Sequence, residues 1–185
     1  MMVAQGNFSP GHLGAMPSCV KHALSYFPPE TLAPGDSILL NDSFLGSGHF
    51  PDTFQIMPVF NKKKLEGFVA CSAHQIDMGG AAPGSQKVQG VTEAYQEGLR
   101  LLPVRFVKKG DIDEDILRVI LGNVRVPEKV RGDLLAQHTA NLSAAARLSK
   151  LFDDYGLKIV KRAYEFILDR SEHAMRKALS LVPKG

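Results

Sequence analysis

Residues 41–80, NDSFLGSGHFPDTFQIMPVFNKKKLEGFVACSAHQIDMGG, decide how the rest of the chain is interpreted. They contain the pattern His-x-x-Asp twice, first at His49 and Asp52 and again at His74 and Asp77. Imidazole and carboxylate together suit zinc, manganese or ferrous iron, and the ligand types do not choose among these metals. The pattern therefore predicts a divalent metal site formed by these four side chains. In the alternative interpretation the two carboxylates cap turns and the two histidines are ordinary loop residues.

The segment between the two copies has the composition of two β-strands. Residues 53–60 (TFQIMPVF) and 65–72 (LEGFVACS) are rich in β-forming side chains, and the lysine-rich residues between them suit a turn. An antiparallel hairpin places Asp52 and His74 side by side at its open end, so the two copies of the pattern would meet there. Pro58 cannot donate a hydrogen bond to a ladder, which predicts either an edge strand or a bulge.

The composition is that of an ordinary globular domain, with 185 residues of which 44 % are hydrophobic and 22 % charged. A net charge of +3 and a single short basic run, Lys62–Lys64, argue against nucleic-acid binding. The sequence contains no apolar run of about 18 residues, which argues against a membrane span. Cys19 and Cys71 have no CxxC spacing, which predicts buried thiols in a reducing compartment and hence a cytoplasmic protein.

Apolar periodicity, prolines and glycines predict the remaining elements. These are a helix over 17–26, strands over 37–40 and 103–107, a long loop over 78–92, a helix after Asp113, a helix from Pro127 and a last helix ending near Leu181. The predicted fold class is α+β. Residues 1–110 form its β-rich part with the hairpin, and residues 111–185 form the helical part of the same domain.

Two further features have both a functional and a structural interpretation. His12 lies among glycines and is either an additional ligand, a substrate contact or, as we favour, an ordinary loop residue. Asp133, Gln137 and Asn141 recur every four residues and so share one face of the helix from Pro127. Spacing alone favours a solvated face for this row over a row that supports a site.

Several segments together resemble the hydantoinase B/oxoprolinase family, in unbroken order from about Val3 to Tyr155. They are HLGAMPSCV, LAPGDSILLNDSFLGSGHFPD, EGFVACSAHQIDMGG, TEAYQEGLRLLPV and ILGNVRVPEKVRGDLLAQHTAN. The family comprises the hydantoinase B components of ATP-dependent hydantoinases, the matching region of 5-oxoprolinase, and subunits of acetone and acetophenone carboxylases. The resemblance implies metal-dependent, ATP-coupled hydrolysis of a cyclic amide of the hydantoin or oxoproline type.

The resemblance also implies the site and the partners. Carried over by position, His49, Asp52 and His74 match metal-ligand positions, with Asp77 a provisional fourth. Gln75 stands where the family has the second histidine of a His-His pair, which would tune the site. A hydantoinase A-like subunit would bind ATP in an oligomeric assembly, because this sequence contains neither a P-loop nor a GxGxxG motif.

Members of this family are several times longer than this chain. They begin with an upstream segment that contains a further aspartate resembling a ligand, and they continue well beyond position 185. We therefore expect this chain to be a truncated internal segment that is inactive alone. A subunit of the carboxylase branch and a non-catalytic remnant are the alternatives to a cyclic-amide hydrolase.

Overall fold

A five-stranded antiparallel sheet lies at the centre of the computed structural model, which describes residues 2–6, 10–12, 14–46, 48–87 and 89–183. The strands are β1 (Ser37–Leu40), β2 (Asp52–Asn61), β3 (Lys64–His74), β4 (Val104–Lys108) and β5 (Asp111–Ile112), in the order β3-β2-β1-β4-β5. The helices are α1 (Ala15–Tyr26), α2 (Glu114–Leu121), α3 (Pro127–Tyr155) and α4 (Leu157–Leu179). The predicted α+β class is confirmed.

The predicted hairpin is present as β2 and β3, and its register pairs Asp52 with His74. β2 lies inside the sheet, between β3 and β1, so the edge-strand interpretation of Pro58 is wrong. The bulge interpretation is confirmed, because the register shifts between Val59 and Phe60. β1 pairs with β2 only through Phe54, Gln55 and Ile56, so on that side Pro58 lies beyond the last paired residue.

The sheet is covered on both faces because its strands alternate apolar side chains between two cores. In β1, Ile38 and Leu40 belong to a core with α1, whereas Leu39 belongs to a core with α2 and α3. The first core comprises Cys19, Ala23, Leu32, Ile38, Leu40, Phe54 and Ile56. The second comprises Leu39, Met78, Leu101, Phe106, Val107, Leu117, Ile120, Val130 and Leu134. A fully apolar β1 is what burial on both faces requires.

The helical part begins where its capping residues predict. The Asp113 carboxylate accepts a hydrogen bond from Ile116 N at 3.1 Å and so caps α2. Pro127 is the first residue of α3, where its missing N–H costs no helical bond. α3 then packs across β2 and β3. The division at residue 110 stays a prediction, and the short strand β5 just beyond it is not among the predicted elements.

The last helix has little contact with the rest of the chain. Val160 is its one buried residue in the described part, packed with Val59 and Phe152. Further along, Phe166 and Met175 are about 60 % exposed. In the described part of the chain, none of the helices combines the length and apolar character needed to cross a membrane.

Candidate functional site

Two imidazoles converge on one buried carboxylate at the open end of the hairpin. His12 Nε2 and His49 Nδ1 both donate hydrogen bonds to Asp52 Oδ2, at 2.9 Å and 2.8 Å. The Asp52 side chain is 3 % exposed, whereas the His12 and His49 side chains are about one-third exposed. A buried carboxylate with half-exposed imidazoles can hold those rings in place while leaving them accessible to a ligand.

His74 completes this group because β3 brings it opposite Asp52. Its ring centroid lies 4.8 Å from that of His49, with the ring planes tilted by 50°. The hairpin therefore brings together three of the four predicted ligands, and His12 joins them from the N-terminal segment. We call His12, His49, Asp52 and His74 the imidazole cluster.

Local backbone contacts explain how the cluster is positioned. Asp52 N donates to His49 O at 3.0 Å, which closes a tight turn before β2. Gly48 leaves the space for it, since a Cβ there would lie 2.9 Å from Asp52 Oδ2. The turn is also held from outside, because Phe50 N donates to Glu97 Oε2 at 3.2 Å and Asn41 Nδ2 donates to Phe50 O at 2.6 Å.

Asp77, the fourth predicted ligand, has a different set of partners. Its side chain is 1 % exposed, and its carboxylate accepts hydrogen bonds from Gly79 N at 3.0 Å and from Arg125 N and Nη1. Arg125 Nη2 also donates to Gly80 O at 2.6 Å, which ties the loop after β3 to the start of α3. These contacts favour a structural role for Asp77, and its role as a ligand stays a prediction.

The polar row on α3 lies against the hairpin rather than in solvent. Gln137 is 5 % and Asn141 2 % exposed, so the favoured solvated-face prediction is wrong for both, whereas Asp133 is exposed. Gln137 Oε1 accepts from Thr53 Oγ1 at 2.8 Å and from Gln75 Nε2 at 3.2 Å, and Gln137 Nε2 donates to Thr53 O at 3.0 Å. Thr53 and Gln75 adjoin Asp52 and His74 in sequence, so this network supports the strand ends that carry the cluster.

The four-residue spacing of the row contained the signal, but not the choice of face. A second amide bridge extends the contact along β2, since Asn141 Nδ2 donates to Gln55 O at 3.0 Å and Gln55 Nε2 donates to Leu134 O at 2.8 Å. Buried amides are stable only with such partners. An i, i+4 row of amides on an otherwise apolar helix could therefore have been recognised as buried and paired.

A cleft of about 340 Å³ lies beside the imidazole cluster. His12 and His74 form part of its wall, and residues 70–73 of β3 form another part together with Met16 and residues of the segment 2–6. Most of these side chains are small or apolar. A small molecule in this cleft would contact the two imidazoles directly.

Both cysteines are free thiols, as predicted, and Cys19 is fully buried. Burial raises the pKa of the Cys71 thiol to about 11 and that of Cys19 to about 12. Since a raised pKa lowers the thiolate fraction at neutral pH, we expect alkylation by iodoacetamide to be about 100-fold slower in the native protein than in urea. Mass spectrometry over time measures this, and a rapid native reaction at Cys71 would contradict the burial of that thiol.

The donor set of the cluster fits a divalent metal chemically, and one buried atom supports this. Asp52 Oδ1 has no hydrogen-bond partner in the described part, although it is buried and a carboxylate oxygen is a hard ligand. As the side chains stand, the imidazoles hydrogen-bond to Asp52. Within the described ranges, no three His, Cys, Asp or Glu side chains already have the mutual arrangement of a metal site.

The sequence of the whole chain decides its family. The family model described as hydantoinase B/oxoprolinase matches residues 1–185. The chain belongs to the hydantoinase B/oxoprolinase family. The predicted resemblance is thereby confirmed, and the imidazole cluster becomes a feature of a hydantoinase B-type chain.

Comparison with individual proteins gives the same family and shows how much of them this chain represents. The crystal structure of the ATP-dependent caprolactamase from Pseudomonas jessenii matches with a TM-score of 0.91 and 34 % identity, over 100 % of this chain and 31 % of that chain. A Pseudomonas protein named as a hydantoinase B-type subunit, with D- and L-hydantoinase activity assigned by its name, is 34 % identical over 84 % of this chain and 26 % of the relative. This hydantoinase B-type chain thus spans about a third or less of the length of both.

The fold is also found in a more distant protein. The nucleotide-free structure of an acetone carboxylase matches with a TM-score of 0.74 and 21 % identity, over 85 % of this chain and 20 % of that chain. At this level of identity the likeness concerns the fold alone.

Proposed function

We propose that this chain is the metal-binding part of a hydantoinase B-type subunit that hydrolyses a cyclic amide with the help of an ATP-using partner. One observation carries the proposal, namely that His12 and His49 converge on the buried Asp52 carboxylate with His74 beside them. Family membership supports the reaction class, and the relative from Pseudomonas jessenii is itself described as an ATP-dependent caprolactamase.

In this proposal His49, Asp52 and His74 hold the metal, His12 is a further ligand or a substrate contact, and Asp77 remains a provisional ligand. Zinc, manganese and ferrous iron all suit these donors. When bound, such a metal polarises a carbonyl group or lowers the pKa of a coordinated water. Asp52 orients the two imidazoles that hydrogen-bond to it, and the cleft beside them holds the ring to be opened.

ATP enters the proposal through another subunit. The sequence has no P-loop or other glycine-rich phosphate-binding motif. A hydantoinase A-like partner would activate the amide, and this chain would supply the hydrolytic side. The Pseudomonas hydantoinase relative is named as one subunit of its enzyme, which supports an assembly of unlike subunits. The free thiols Cys19 and Cys71 support a reducing compartment, so the cytoplasm is part of the proposal.

Reconstitution with a hydantoinase A-like subunit tests the proposal. We expect divalent metal and ATP to be required together for opening of a hydantoin or lactam ring, with phosphate released in step. Asp52→Asn should abolish ring opening, whereas His173→Gln, on the exposed face of α4, should leave it unchanged.

The alternatives give different results in the same experiment. Incorporation of labelled bicarbonate into a ketone, without ring opening, would assign the chain to the carboxylase branch. If the reconstituted complex binds no metal and opens no ring, the chain is a non-catalytic remnant and the proposal is wrong.

A further inference from the structure

We infer that the cleft beside the imidazole cluster is a site for an uncharged lactam or imide ring, and that it discriminates against a ring carrying a carboxylate. Ala70 and Ser72 of β3 set its size. The inference rests on the proposed function and deepens it by naming the substrate class. The supporting observations are the side chains that line the cleft, their size and their charge.

The size of the cleft follows from the residues on one face of β3. Ala70, Ser72 and His74 alternate along the strand and therefore point to the same face of the sheet. The first two have small side chains, which leave an open volume of about 340 Å³ in front of the strand. This volume lies within the range of small-molecule sites, roughly 300–1,000 Å³. A leucine at position 70 would extend into this space.

The chemistry of the wall suits a ring with one polar edge. Met2 and Met16 provide flexible apolar surface, and Ala70 provides a small apolar surface on β3. The imidazoles of His12 and His74 lie at the cluster end of the cleft, where His12 also bonds to Asp52. An amide edge can hydrogen-bond to these imidazoles while the methylene groups of the ring contact the apolar wall.

Charge separates neutral from anionic rings. The described residues that line the cleft include neither lysine nor arginine. The nearby fixed charge is the Asp52 carboxylate, whose Oδ2 is taken up by His12 and His49. A second carboxylate brought into the cleft would be desolvated without a cationic side chain to pair with, which is unfavourable. An uncharged lactam carries no such penalty.

The test compares two ligands that share one ring and differ in one carboxylate, 2-pyrrolidone and 5-oxoproline. Both are titrated into the metal-free, isotope-labelled chain and followed by amide chemical shifts. We expect 2-pyrrolidone to shift the signals of residues 70–74, with at least about tenfold weaker binding of 5-oxoproline, a factor that corresponds to one unpaired charge at modest burial.

Variants link the binding to the cleft. Ala70→Leu should weaken 2-pyrrolidone binding by at least about tenfold by filling the space, while Ala144→Leu, at an exposed position on α3, should not. Ser72→Val keeps the side-chain volume and removes the hydroxyl, so it serves as a second variant if Ala70→Leu folds poorly. Equal or tighter binding of 5-oxoproline, unchanged binding in Ala70→Leu, or no binding of 2-pyrrolidone would overturn the inference.

Metal titration separates this inference from the proposed function. Ala70→Leu should bind metal as the unsubstituted chain does, because Ala70 is not part of the imidazole cluster. If metal binds and 2-pyrrolidone does not, the cleft inference alone is wrong. If 2-pyrrolidone binds and metal does not, the proposed function is wrong and the neutral-ring site stands.

Discussion

Replacing Asp52 with asparagine should lower the affinity of the chain for Zn²⁺ and Mn²⁺ by at least about 100-fold, the upper end of what the loss of a ligand's supporting partner alone costs. The substitution removes the negative charge at the centre of the imidazole cluster. It also removes the oxygen to which His12 Nε2 and His49 Nδ1 both donate, so the two rings lose their orientation. Competition with a chromophoric chelator measures the dissociation constants, and elemental analysis gives the stoichiometry.

Asp77→Asn is the matched control, because it makes the same chemical change at the other predicted carboxylate ligand. The Asp77 side chain is buried against Arg125, so its neutralisation should mainly lower stability. His173→Gln controls for adventitious binding to an exposed histidine. If Asp77→Asn loses metal as severely as Asp52→Asn, then Asp77 is a ligand after all. If the unsubstituted chain takes up no metal, the metal-dependent function is wrong.

Replacing Gln137 with leucine should lower the free energy of unfolding by about 2–4 kcal/mol, because buried partners would lose their hydrogen bonds. Thr53 Oγ1, Gln75 Nε2 and the Thr53 carbonyl all bond to this one amide at 2.8–3.2 Å. Leucine has a similar volume, so the loss reports the polar contacts rather than a cavity. Urea unfolding measures it, and the midpoint of thermal unfolding should fall by about 5–15 °C.

Asp133→Ala provides the comparison on the same face of α3, four residues earlier and in solvent. Its effect should stay within about 0.5 kcal/mol, as at ordinary surface positions. A loss in Gln137→Leu as small as that in Asp133→Ala would mean that water replaces the amide, and that α3 does not support the hairpin through this network.

Much of the local structure follows from patterns within a few residues. Two β-rich runs around a lysine turn predict the hairpin, and its open end pairs Asp52 with His74 as expected. Pro127 and the capping residue Asp113 mark the starts of α3 and α2 for the same reason. Caps, turns and strand composition act between neighbours, so they are recognisable without knowledge of the packing.

Contacts between distant segments are not recognisable in this way. His12 lies 40 residues before Asp52 and has the sequence surroundings of a loop residue, yet it bonds to that carboxylate. Asp77 repeats the spacing of Asp52, yet its partner is Arg125, 48 residues further on. The two His-x-x-Asp copies are identical as patterns and differ because different segments pack against them.

The sequence by itself therefore determined the α+β class, the hairpin, the family and three members of the imidazole cluster. Tertiary structure alone decided that His12 completes the cluster, that Asp77 pairs with Arg125, and that Gln137 and Asn141 are buried. The physical reason is that helical and strand periodicity place residues on a common face but do not specify which face another element will cover. That choice is made by the packing of α3 across β2 and β3, which spans more than 80 residues of chain at the bond between Thr53 and Gln137.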